Sequence, residues 1–146
     1  MNDIFVHYGS SKLDRSKFKE ITNETYCGGL KPLGGLWGSN DNGYRWKEWC
    51  KDNNYNTERL KDSFRFRVKD GYRVLNVRNT ELSSYCISEL SCFEIIVQTI
   101  DWNRVKRDWD AVYIEAGSNI ELYHRYYGWD CDSILVLNFD AIEEVE

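Results

Sequence analysis

Apolar and polar residues alternate over several short stretches of this chain, and that period of two predicts a strand-rich fold. Residues 4–8 (Ile, Phe, Val, His, Tyr) form a β-branched and aromatic run halted by Gly9, Ser10 and Ser11, which reads as a strand entering a turn. Phe64, Phe66 and Val68 alternate with Arg65, Arg67 and Lys69; Asp70 and Gly71 then supply a turn ahead of residues 72–77. A hairpin is expected there, with the arginines on its solvated side. Over residues 110–115, Ala111, Tyr113 and Glu115 share one side of a strand and Val112 and Ile114 the other, before Ala116 and Gly117 turn the chain. Residues 131–138 read as a buried strand, and Asp140 opens a brief C-terminal turn.

Helical spacing is weaker and local. Trp46, Trp49 and Cys50 stand at i, i+3 and i+4, which predicts a helix that packs these tryptophans. A modest helix is expected through Phe18 and Ile21, another from Asn79 and Thr80 to Ile87, and a third capped by Asp101 and reaching Arg107. Ser118 and Glu121 have capping-box spacing ahead of residues 122–127, with Gly128 at the helix end. Residues 93–99 fit either a strand or a buried helix. The sum is an α+β domain with a split, twisted β core and short helices.

The chain has 146 residues, 42% hydrophobic and 29% charged, without repeats or low-complexity tracts, so one domain over 1–146 is expected. A net charge of −5 argues against general affinity for a phosphate backbone. The start of the chain lacks a basic segment followed by an apolar one, and apolar runs are short, so neither export nor membrane insertion is expected. Five cysteines without a C-x-x-C pair imply reduced thiols, a cytoplasmic location and no structural zinc. Aromatic residues reach 15%, with 6 Trp and 10 Tyr, and offer flat surfaces for stacking on rings.

The sequence contains no P-loop, G-x-G-x-x-G, H-E-x-x-H or G-x-S-x-G motif. His124 lies in a crowded helix, where a solvated or packed ring is expected. His7 instead ends a strand beside Gly9 and Ser10. The glycine-rich stretch 27–35 runs into Leu36, Trp37, Gly38 and Ser39, a short strand beside a cleft that His7 is expected to share with Trp37. Asp130 and Asp132 flank Cys131 and are expected to bond loop backbone in a supporting role.

In this order, the residues from His7 to Ser10, from Gly35 to Ser39, from Phe64 to Val77 and from Asp110 to Glu115 resemble the ADP-ribosyltransferase superfamily, in its diphtheria-toxin and poly(ADP-ribose) polymerase branch. The resemblance implies an ADP-ribosyltransferase-like fold that binds NAD as substrate. It implies that His7, with Tyr8, Gly9 and Ser10, holds the NAD ribose, that Gly35, Leu36, Trp37 and Ser39 form the segment on which nicotinamide stacks, and that Glu115 is the catalytic carboxylate. The sequence departs from the pattern at Tyr8, which separates His7 from Gly9, and at Trp37, which replaces a tyrosine. Glu115 is preferred over Glu121 because the latter has the capping-box spacing.

The leading expectation is an NAD-dependent mono-ADP-ribosyltransferase acting on a protein, nucleic-acid or small-molecule acceptor, with residues 38–44 and 116–119 facing the target. The alternative is a noncatalytic module that binds or sequesters NAD, ADP-ribose or an NAD-derived signalling nucleotide. A third reading is a protein-interaction domain whose aromatics form a core and a contact patch.

Overall fold

Alternating residues make strands when their apolar side finds a surface to cover, and in this protein both faces of the large sheet carry one. The computed structural model describes residues 2–25, 31–126 and 128–146. In chain order the elements are β1 Phe5–Tyr8, β2 Leu36–Asn40, α1 Trp46–Asp52, β3 Ser63–Val68, β4 Val74–Val77, β5 Cys86–Leu90, β6 Ile96–Ile100, α2 Trp102–Asp108, β7 Ala111–Glu115, α3 Ile120–Arg125, β8 Asp132–Val136 and β9 Ile142–Val145. Seven strands form one sheet in the order β4-β7-β8-β2-β1-β3-β9, and β5 and β6 form a separate two-stranded sheet. Among the described residues only β4 and β7 pair in parallel. The architecture is α+β.

Each face of the large sheet carries a core. On one, Val112, Ile114 and Leu135 pack with Trp102, Val105, Leu122 and Trp129 from α2, α3 and the following turn. On the other, Phe5, Phe64, Phe66, Tyr113 and Ile134 form an aromatic cluster covered by Leu13 and Phe18. The join between β1 and β2 is short: Phe5 pairs with Asn40 and Val6 with Ser39, after which the strands separate.

The alternation of residues 64–77 specifies two strands but not their partners. β3 pairs with β1 and β9, whereas β4 pairs with β7 at the far edge, so the expected hairpin does not form. Gly71 turns the chain with φ +88, and the turn sends β4 away rather than back. Arg65 and Arg67 remain exposed and pair with Asp41 and Glu143.

The other departures have local causes. Residues 79–87 form a 3₁₀ turn followed by β5 instead of a helix, and Ile96–Ile100 resolves the open reading of that segment as a strand paired with β5. The segment through Phe18 holds only a 3₁₀ turn at Arg15–Lys17. Asn119, not Ser118, caps α3 by accepting from the Glu121 and Leu122 amides; the Ser118 hydroxyl donates to Asp132. β9 follows the expected C-terminal turn and pairs with β3. Cys50, Cys86 and Cys131 are free thiols but Cys92 is disulfide-bonded, correcting the wholly reduced set, because an odd count without short spacings says nothing about distant pairs. Among the described residues no helix is long and apolar enough to cross a membrane.

Candidate functional site

The short β1–β2 join creates the site. Beyond Val6 and Ser39 the strands part, and a cavity of about 170 Å³ opens, lined by Val6, His7, Tyr8, Lys31, Trp37, Gly38, Ser39, Trp46, Asp130, Cys131 and Ser133. Two glycines, Gly35 just before β2 and Gly38 within it, run close to packed groups. At Gly35, with φ +69, a Cβ would lie 2.7–2.9 Å from Ile21, Leu135 and the Val136 carbonyl; at Gly38 it would lie 2.6 Å from the Phe66 ring. Only glycine lets the chain pass this close, at Gly35 to the core on the Trp37 side and at Gly38 to the aromatic cluster on the other.

His7 and Trp37 both border the cavity, but their side chains leave the sheet on opposite faces. His7 lies opposite Phe64, with ring centroids 5.1 Å apart, whereas Trp37 lies opposite Leu135. The imidazole turns into the gap between the strands, and its Nδ1–H donates to the Trp37 carbonyl at 2.7 Å. A carbonyl only accepts, so this bond fixes the neutral tautomer and leaves Nε2 as an acceptor. Burial holds His7 below its ordinary pKa, with Arg59 and Lys17 acting in the same direction.

The charged groups in the wall are Lys31 and Asp130. The Lys31 ammonium stands 4.9 Å above the Trp37 ring, while Trp129 meets the same indole edge-on at 4.7 Å. Burial lowers the Lys31 pKa and raises that of Asp130, each partly offset by the other's charge. Cys131 is buried, and burial pushes its thiol up to about 12, so it is a neutral wall group and not a nucleophile. Ser39 is 1% exposed, and its hydroxyl makes no hydrogen bond among the described residues. A buried hydroxyl left unpaired on a cavity wall is costly unless something in the cavity pairs with it.

The expected site residues are therefore divided. His7, Tyr8, Trp37 and Ser39 line the cavity. Gly9 and Ser10 lie past it: the Gly9 amide donates to the Asp62 carbonyl, and the Ser10 hydroxyl donates to the Lys12 carbonyl and accepts from Lys17. Gly35 donates to the Lys19 carbonyl, and Leu36 packs against the aromatic cluster on the opposite face. The expected loop at residues 27–30 falls outside the described residues.

Glu115 is elsewhere. It pairs in register with Asp132, which places it on the face opposite Trp37, beside a separate cavity of about 350 Å³ shared with Asn76, Arg78, Tyr113 and Asn119. There the Asn40 amide donates to the Tyr113 hydroxyl at 2.8 Å, and that hydroxyl donates to Glu115 at 3.2 Å. Burial, chiefly, keeps Tyr113 a neutral phenol.

Sequence reasoning passed over Lys31, Trp46, Cys131 and Ser133 as lining groups and gave Asp130 a supporting role on loop backbone, whereas its carboxylate lines the cavity and bonds no backbone group among the described residues. Trp46 was assigned to packing by helical spacing, but in α1 only Cys50 is buried; Trp46 and Trp49 stack on one another at 4.9 Å and 9°. Lys31 and Asp130 lie 99 positions apart in the sequence and converge only in the fold. Asp132 does hold loop backbone, accepting from the Tyr44 and Ser118 amides at 2.9 Å each. No protein-family model matches the chain, and no curated protein or solved structure matches it.

Proposed function

We propose that this protein is a noncatalytic module that binds a nucleotide of the ADP-ribose type through a flat, neutral ring held in the cavity at the β1–β2 gap. The observation that carries this reading is the buried, unpaired Ser39 hydroxyl on a wall that also presents Trp37 and Trp46. At about 170 Å³ the cavity is slightly larger than the roughly 150 Å³ cavity that admits benzene in another protein, so it takes one ring and leaves the rest of the ligand outside. The ammonium of Lys31 over Trp37 disfavours a cationic pyridinium there and favours a neutral base such as adenine. This shifts the role of Trp37 from nicotinamide to the base. The ADP-ribosyltransferase-like fold belongs to the same reading; its support is the gap after β1 bordered by His7 and Trp37.

NAD-dependent ADP-ribosyl transfer is the second reading, favoured by the carboxylate of Asp130 on the cavity wall. Glu115 does not suit that role, since it faces away from Trp37 and hydrogen-bonds Tyr113. Calorimetric titration with adenosine, ADP-ribose and NAD, run beside an assay for nicotinamide release, separates the two. Saturable binding without release is expected; release that Asp130→Asn abolishes, with the ADP-ribosyl group recovered on an acceptor and not as free ADP-ribose, would establish transfer instead. Trp37→Ala should weaken binding by roughly 1–3 kcal/mol, the usual worth of a base stacked on an aromatic side chain. Unchanged affinity in the folded variant would remove the ring from this cavity.

A further inference from the structure

A further cavity of about 470 Å³ lies next to the first, within the range of small-molecule sites. Its aromatic walls are Tyr44 from the loop before α1, Trp49 from α1 and Tyr123 from α3; Ser118 and Asn119 add polar groups. Asp130 borders both cavities, and the Trp46–Trp49 stack joins their walls.

The described lining of this cavity carries charge of one sign. Among the described lining residues Asp130 is the only ionised group, and no Lys or Arg is present. Its neighbour Asp132 is occupied by the Tyr44 amide and by the amide and hydroxyl of Ser118. Asp52 is occupied by the Tyr44 hydroxyl at 2.6 Å. Arg45 is bound to Glu48 and Asp41 and does not line the cavity. The Asp130 carboxylate forms no hydrogen bond or ion pair among the described residues; Lys31 acts on it only through space, from the neighbouring cavity. Phosphate is excluded by this field, and an uncharged ring would leave the carboxylate without a donor. Aromatic faces attract cations, and a carboxylate adds charge-assisted hydrogen bonds when the cation carries N–H groups.

We propose that the cavity bordered by Tyr44, Trp49, Tyr123 and Asp130 binds an organic cation bearing N–H groups, a protonated amine or a guanidinium. This site stands independently of nucleotide binding next door. Two sources share this chemistry: a free small cation, or a basic side chain of a partner protein, which the adjoining 116–119 turn and the Tyr44 loop would meet at the surface.

The test is an NMR titration of the full chain at low ionic strength, following the Trp49 indole, with propylammonium, methylguanidinium, tetramethylammonium and an N-acetyl-arginine-amide probe. The first two should saturate. Tetramethylammonium, which has no N–H to give Asp130, should bind about tenfold or more weakly, the ratio that corresponds to one charge-assisted hydrogen bond. Asp130→Asn and Tyr123→Ala should each weaken methylguanidinium binding at least about tenfold, while Trp37→Ala, confined to the first cavity, should leave it unchanged. Blocked arginine binding as well as methylguanidinium identifies a partner's side chain; much weaker binding identifies a free cation. Absence of a saturable Trp49 shift, or an Asp130→Asn variant that is folded and binds with parent affinity, overturns the proposal. Loss of adenosine binding alone leaves it standing and rejects only the first cavity's reading.

Discussion

Trp37 and Glu115 stand two strands apart in one sheet, yet their faces are built to opposite rules. On the Glu115 face the polar groups satisfy each other: Asn40 donates to Tyr113, Tyr113 to Glu115, and Asp132 holds two loops. On the Trp37 face Ser39 and Asp130 have no hydrogen-bond partner among the described residues, and Lys31 rests over an indole. A closed network contributes stability, whereas an open one gives up stability and keeps partners for a ligand. The contrast teaches that a strand-end glutamate at a rim is a poor guide to chemistry until its own hydrogen bonds are counted.

Substitutions that break the closed face should cost folding energy and leave binding alone. Asp132→Ala removes the acceptor of three donors on a residue 2% exposed, and at about 1.5–3 kcal/mol for each hydrogen bond to a charged group it should destabilise the protein by roughly 4.5 kcal/mol or more. Urea denaturation measures this; a loss below about 1 kcal/mol would mean that the loops hold themselves. Tyr113→Phe strands the buried Asn40 amide and should cost about 1–3 kcal/mol with ADP-ribose affinity unchanged. A matching loss of affinity would tie the two faces together and undo the contrast.

The open face should behave the other way. Ser39→Ala deletes a hydroxyl that has no hydrogen-bond partner among the described residues, so folding stability should hold or rise slightly while ligand affinity falls by about 0.5–1.5 kcal/mol. Destabilisation without loss of affinity would show that the hydroxyl serves the fold. The smallest effect concerns His7. Its pKa in the folded protein lies below the ordinary 6.5, so the unfolded chain binds the proton more readily. The stability this provides is complete above pH 6.5 and is lost as pH falls toward the folded-state value. Denaturation of the parent and of His7→Gln at pH 7.5 and 5.5 should show a smaller acid loss in the variant; equal losses would place the titrating group elsewhere.

Much of the strand content could be read locally, β3 and β7 from a period of two and β1 and β8 from short apolar runs, because each presents apolar residues to a core. The Asp101 cap of α2 was legible as well, since a cap is a local bond, here to the Arg104 amide. Pairing was not. Nothing within residues 64–77 reports that β9 claims one edge of β3 or that β7 claims β4, because those partners lie far along the chain. Spacing also misassigned the Ser118 hydroxyl, which had a stronger acceptor in the distant Asp132. His7, Tyr8, Trp37 and Ser39 were legible as candidates from glycine-bordered strand ends. The opposition of Trp37 and Glu115 depends on register across β8, and Lys31 and Asp130 needed the fold to bring them together.

The two-residue join between β1 and β2 divides the sheet into leaves of four and three strands. Backbone amides along such a seam exchange with solvent through small local openings, while those of β7 and β8, bonded along their length, await wider unfolding. A molecule seated in the gap would touch both leaves at once and act as a clasp. Its binding energy would then appear as slowed hydrogen exchange concentrated in β1 and β2, so occupancy of the cavity could be read from the rhythm of the backbone without any signal from the ligand itself.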